Sequence, residues 1–140
     1  VINMWTSFGY FEDDENEVVI KEISRVLRSN GNFILDMFNP GWIVRNFREK
    51  DWVENEKYFS LEQRSVKWKQ KRMQSRWIIV NKQTGKINEV TINVRMYDAE
   101  ELKELLSKEK LEITEVYGSF KKEKFDEAKS NRIIIVSRKT

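Results

Sequence analysis

Two nearly unbroken apolar runs, Val1 to Trp5 and Phe33 to Phe38, flank a segment with helical periodicity. A run apolar at almost every position suits a strand covered on both faces, as in parallel sheets, whereas alternation suits a strand with one wet face. Between the runs, Val19, Ile23, Val26 and Leu27 fall at i, i+4, i+7 and i+8, one apolar stripe, which predicts a helix over Glu17 to Arg28. Glu15 and Glu17 suit the positive end of that helix and Arg25 and Arg28 the negative end. Asn30 or Gly31 can take the left-handed conformation that stops it. A strand, a helix and a strand joined by short loops form a right-handed crossover with parallel strands. The fold class is therefore α/β.

Asn39-Pro40-Gly41 breaks the second strand, and a short helix is expected over Trp42 to Arg48. The character then changes. Lys57 to Val66, Gln70 to Lys82 and Ile87 to Tyr97 have strand composition, with a hairpin expected at Lys82 to Lys86 and Gly85 at its bulge. This middle part reads as an antiparallel insertion. Asp98 and Glu101 form a capping-box pair opening a helix whose Leu102, Leu105 and Leu106 face the core. Glu112 to Tyr117 and Arg132 to Arg138 are the last two strands. The organisation is thus 1–50 core, 51–97 insertion and 98–140 core.

Several chemistries are excluded by composition. The 140 residues contain no Cys and no His, so disulfides, thiolate metal sites, His general bases and His-dependent triads are absent. The four consecutive acids Glu12 to Glu15 cannot converge on one ion, and no metal site is expected. No apolar run approaches the roughly 20 residues that span a bilayer. A cytoplasmic location without membrane contact is the expectation.

The net charge of +3 hides an asymmetry. Residues 57–86 hold nine bases against one acid, Glu62, so that segment carries +8 and the remainder −5. With Tyr58, Phe59, Trp68 and Trp77 interleaved, it has the composition of a nucleic-acid surface. The competing reading is a solvated sheet face.

Taken in order, several segments resemble class I S-adenosylmethionine (SAM) dependent methyltransferases. Trp5-Thr-Ser-Phe-Gly-Tyr-Phe11 is similar to the end of that family's fourth strand. Ile23 to Asp36 resembles its "I-x-R-V-L-K-P-G-G-x-F-x-x-D" stretch, with Ser29-Asn30-Gly31-Asn32 replacing Pro-Gly-Gly. Arg95-Met-Tyr-Asp-Ala-Glu-Glu-Leu102 is similar to its "R-x-Y-T-x-x-E-L" segment, and Val116 to Phe120 and Ser130 to Lys139 resemble its last two strands. The family's Gly-rich loop and ribose-binding acid have no counterpart here.

The resemblance implies the C-terminal half of a Rossmann-like methyltransferase sheet, strand order 4-5-7-6, carrying a β insertion as an acceptor lid. It implies SAM as cofactor, bound only with help from a missing N-terminal half or a partner chain, and a methyl acceptor that is most simply a small molecule. Because ligands of open α/β sheets bind beyond the carboxyl ends of the strands, Met4, Trp5, Thr6 and Ser7 become candidate cofactor residues. Tyr10, Asn39, Arg95 and Tyr97 become candidate substrate residues; no catalytic residue is assigned. The first strand would stand at a bare edge, so residues 1–6 are expected to pair with another strand or a second copy. A non-catalytic interaction module built on the same half-fold is the alternative.

Overall fold

The computed structural model describes residues 1–140. In chain order the elements are β1 (Ile2–Asn3), α1 (Asp13–Val26), β2 (Asn32–Phe38), α2 (Pro40–Asn46), β3 (Lys50–Glu54), β4 (Tyr58–Lys67), a 3-10 turn (Trp68–Gln70), β5 (Arg72–Asn81), β6 (Ile87–Arg95), α3 (Ala99–Lys108), β7 (Leu111–Tyr117) and β8 (Arg132–Lys139). They form two compact units. Unit 1 is Val1–Asn46 with Arg95–Thr140, and unit 2 is Phe47–Val94. The boundaries fall a few residues earlier than the sequence suggests.

Unit 1 is a four-stranded sheet in the order β1-β2-β8-β7. β1 runs parallel to β2, with Ile2 opposite Ile34. β8 is antiparallel to both its neighbours, pairing Leu35 with Ile135 on one side and Val116 with the same Ile135 on the other. β1, β2 and β7 therefore point the same way, and their carboxyl ends share an edge with the start of β8. The regular β1 is only two residues long, shorter than the expected Val1 to Trp5. The chain nevertheless stays beside β2: the Thr6 N–H donates to the Asp36 carbonyl at 3.1 Å.

One face of this sheet carries the core. Phe33, Leu35 and Met37 of β2 and Ile133 and Ile135 of β8 alternate onto it, meeting Ile20 and Leu27 from the first helical segment and Leu102, Leu105 and Leu106 from α3. Each such side chain contributes about 1.5–3 kcal/mol on full burial. The α1 stripe differs from the periodicity reading. Ile20, Asn16 and Ser24 are its buried residues, Val19 and Ile23 flank them, and Val26 is exposed. Two polar side chains replace the expected valine because each has a partner. Ser24 Oγ donates to the Glu109 carbonyl at 2.8 Å, and Asn16 Nδ2 donates to the Phe11 carbonyl at 2.9 Å and the Tyr97 hydroxyl at 3.1 Å. The helix also starts four residues earlier than expected, taking Asp13, Asp14 and Glu15 into its first turn, where the helix dipole favours acids. At its other end the Lys139 ammonium donates to the Ser24 and Leu27 carbonyls at 2.6 and 2.9 Å.

α3 is capped as its sequence predicts. Asp98 accepts from the Glu101 N–H at 2.9 Å, and Glu101 accepts from the Asp98 N–H at 3.0 Å.

Unit 2 is an antiparallel sheet in the order β3-β4-β5-β6. The long β4–β5 hairpin pairs Tyr58 with Asn81 through to Lys67 with Arg72. The β5–β6 connection closes with the Asn81 N–H on the Lys86 carbonyl at 2.9 Å, and Gly85 holds φ +69, as a hairpin bulge requires. β3 is a strand beyond those the sequence predicts: five largely polar residues pair along the edge of β4, Trp52 opposite Leu61.

A strained aromatic turn as the candidate functional site

The chain leaves β1 through two consecutive non-glycine residues with positive φ, Trp5 at 61° and Thr6 at 55°. The left-handed region costs an L-residue roughly 1–2 kcal/mol, and a β-branched threonine there is an outlier. The conformation persists because Asp36 and Arg132 hold it. The Trp5 N–H donates to Asp36 Oδ2 at 2.8 Å, and Arg132 Nη2 donates to Thr6 Oγ1 at 3.1 Å. Arg132 also closes a two-point ion pair on Asp36, through Nε to Oδ1 and through Nη2 to Oδ2 at 2.8 Å. Asp36 is wholly buried. Strain that the surroundings over-determine is characteristic of functional turns.

The result is an aromatic and cationic row along the carboxyl edge. The Arg132 guanidinium lies 4.8 Å from the Phe38 ring centre and 5.5 Å from that of Phe120, and the Phe120 ring stands 5.4 Å from Trp5. Trp5 is 76% exposed and Phe120 51%. Sequence reasoning found Trp5 but missed Phe38, Phe120, Asp36 and Arg132 as parts of one arrangement. The available signal was Arg132, a lone cation opening the apolar run of β8.

The other candidates divide by what their polar atoms do. Met4 is half-buried and Tyr10 exposed at this end of the sheet. Ser7 Oγ turns back onto Asn3 Oδ1 at 2.8 Å and the Met4 carbonyl at 2.7 Å. Thr6 is buried with its hydroxyl under Arg132. Asn39 is buried and spends its amide inside the chain, donating to the Glu127 and Ser130 carbonyls at 2.8 and 2.7 Å and accepting from the Gly41 N–H at 3.1 Å. It fastens the loop before β8 to the end of β2.

Arg95 and Tyr97 belong to a second buried cluster. Arg95 donates to Asp13 Oδ1 at 3.1 Å, to Glu101 Oε1 at 2.9 Å and to the Met96 carbonyl. Burial alone would lower its pKa; the bonds and charges of Glu101 and Asp13 outweigh that and raise it. The same guanidinium lies 4.4 Å from the Tyr97 ring centre. Burial pushes the Tyr97 phenol up to about 12. A neutral phenol held by Asn16 and covered by Arg95 is a structural group at neutral pH.

In unit 2 the bases of the 57–86 segment are partly neutralised. Arg64 pairs with Glu62, Arg76 with Glu89 and Lys82 with Glu54. No helix of the chain is long and apolar enough to cross a membrane.

The chain has the fold of the SAM-dependent methyltransferases. No family model matches the sequence and no curated protein does, but solved structures match its whole length. The CcbJ methyltransferase of Streptomyces caelestis matches with a TM-score of 0.82 at 19% identity, covering 100% of this chain and 60% of its own. A SAM-dependent methyltransferase of Clostridium acetobutylicum matches with a TM-score of 0.85 at 15% identity, covering 98% of this chain and 56% of its own. CalS10 of Micromonospora echinaspora, a SAM-bound amino pentose methyltransferase, matches with a TM-score of 0.62 at 18% identity, covering 100% and 57%. The chain thus spans a little over half the length of the structures it resembles.

Proposed function

We propose that these 140 residues are the acceptor-facing, C-terminal part of a SAM-dependent methyltransferase acting on a small molecule. The observation that carries the reading is the match, over 100% and 98% of this chain, to a methyltransferase and a SAM-dependent methyltransferase with TM-scores of 0.82 and 0.85. The order β1-β2-β8-β7, with β8 antiparallel, corresponds in this reading to strands 4-5-7-6 of the family sheet. Unit 2 corresponds to the acceptor lid. An amino-sugar acceptor is the variant that the CalS10 likeness favours.

SAM, when bound, supplies an electrophilic methyl group. What this chain contributes is position and exclusion of water. Met4, Trp5, Thr6 and Ser7 border the transfer point, with the exposed Trp5 ring as the contact surface. Tyr10 faces the acceptor. Asn39, Arg95 and Tyr97 enter as positioning residues, because their polar atoms are already engaged. The fit to SAM is one-sided. Asp36, the carboxylate of the β2 strand, is closed off by Arg132 and cannot take a ribose diol. We therefore assign the ribose and carboxylate contacts to a segment outside these residues, which pairs with the open side of residues 1–6. Val1 and Ile2 there are 47% and 70% exposed.

Calorimetry with SAM tests this in two steps. The chain alone should give weak heats or none. A chimera placing ahead of Val1 the part of the C. acetobutylicum methyltransferase that this chain does not span should bind SAM. A folded chimera that ignores SAM would sink the proposal.

A further inference from the structure

Unit 2 contains an open cleft of about 440 Å³, within the roughly 300–1,000 Å³ range of small-molecule sites. One wall is aromatic: Phe47 and Trp68 meet edge to face, ring centres 6.4 Å apart at 71°, with Trp68 47% exposed. The floor is polar. Register places Gln63 opposite Arg76 and Ser65 opposite Gln74 on adjacent strands, so four hydrogen-bonding side chains share one face beside the aromatic wall. Gln63, Ser65 and Gln74 hold no side-chain hydrogen bond within the chain.

The charges decide the ligand class. Arg76 grips Glu89 through two bonds at 2.6 and 3.0 Å, and Arg64 pairs with Glu62 and lies 3.9 Å from Asp51. Glu49 also lines the cleft. The guanidinium charges are compensated, so the cleft does not select an anion. Amides carry both donors and acceptors, a hydroxyl does both, and guanidinium donates. A flat indole beside that mixture suits a ring with an apolar C–H face and a rim of hydroxyls.

We infer that the Phe47–Trp68 cleft binds a neutral saccharide ring of pentose or hexose size. Trp68 covers the ring face, and Gln63, Ser65 and Gln74 read the hydroxyls. The site lies wholly within unit 2 and its occupation needs no SAM and no methyl transfer, so it stands or falls apart from the function proposed above.

The test is amide and indole NMR of the 15N-labelled chain titrated with methyl β-D-glucopyranoside and methyl β-D-xylopyranoside, with inorganic phosphate and AMP as comparators. A saccharide should shift the Trp68 indole N–H and the Gln63 and Gln74 side-chain amides. Trp68→Ala should weaken binding about tenfold, equivalent to roughly 1.4 kcal/mol, and Trp68→Phe should recover most of it. Should Trp68→Ala collapse the spectrum, Gln74→Ala, an exposed change, carries the test by the same weakening. Signals unmoved by either saccharide, or moved at lower concentration by AMP or phosphate, overturn the assignment.

Discussion

Arg132, at the first position of β8, and Asp36, buried within β2, form an ion pair whose second carboxylate oxygen also receives the Trp5 N–H. One buried carboxylate thus ties together β8, β2 and the strained turn after β1. Breaking a buried pair by removing one partner costs about 3–5 kcal/mol, because the surviving charge is left uncompensated. Asp36→Asn should lower stability by about that amount in urea denaturation. The paired change Asp36→Leu with Arg132→Met should be milder. An Asp36→Asn protein as stable as the parent would show that the pair does not hold the turn.

The alkaline limit of stability should depend on Tyr97. Its folded pKa is raised from 10 to about 12, so the folded state holds the phenolic proton more tightly than the unfolded chain does. The sign follows: between these values the folded state binds more protons, and stability falls as pH rises. The contribution is fully present below pH 10 and is lost as pH climbs through about 12. Urea midpoints measured from neutral pH upward should drop over this window, and Tyr97→Phe should flatten the drop. Identical pH profiles for the two proteins would refute the assignment.

Lys110 follows the Glu109 cap of α3 with φ +57. That is the position where helices favour glycine. Replacing Lys110 with Gly removes a left-handed penalty of about 1–2 kcal/mol while adding unfolded-state entropy of about 0.5–1 kcal/mol. The net expectation is a gain of about 0.5–1 kcal/mol, read as a higher urea midpoint at unchanged slope. A lower midpoint would contradict it.

Gly118 needs its missing side chain for room, not for backbone freedom. A Cβ there would lie 2.0 Å from Ser130 Oγ and 2.7 Å from Ser130 Cβ, while Ser130 Oγ accepts from the Asp126 N–H at 2.9 Å. Gly118→Ala should cost about 1–3 kcal/mol, the range for overpacking. Adding Ser130→Gly should return part of that loss; no recovery in the double variant would place the strain elsewhere.

The legible parts of the fold were those carried by local pattern. The run Phe33 to Phe38 announced a strand, and it lies between β1 and β8, though the core covers only the face of Phe33, Leu35 and Met37 and Phe38 stays exposed. Asp98 and Glu101 announced the start of α3 three residues apart. What escaped was set by distant partners. Asn16 and Ser24 occupy the buried face of α1 because Tyr97 and the Glu109 carbonyl await them, and no periodicity encodes that. β3 forms on an edge that β4 supplies. At the site, Trp5 was readable from its motif. Phe120 and Arg132, more than a hundred positions later, join it only because β8 lies beside β2.

That last arrangement has a kinetic corollary. Every pairing in unit 2 joins strands adjacent in sequence, so it can zip as the chain emerges. β2 must instead wait for β8, which follows all of unit 2 in the chain, before its second edge is satisfied. During translation β2 is therefore an orphan, apolar and half-paired, while the intervening residues fold ahead of it. Until β8 emerges, that unpaired apolar edge is the kind of exposed strand through which incomplete chains associate.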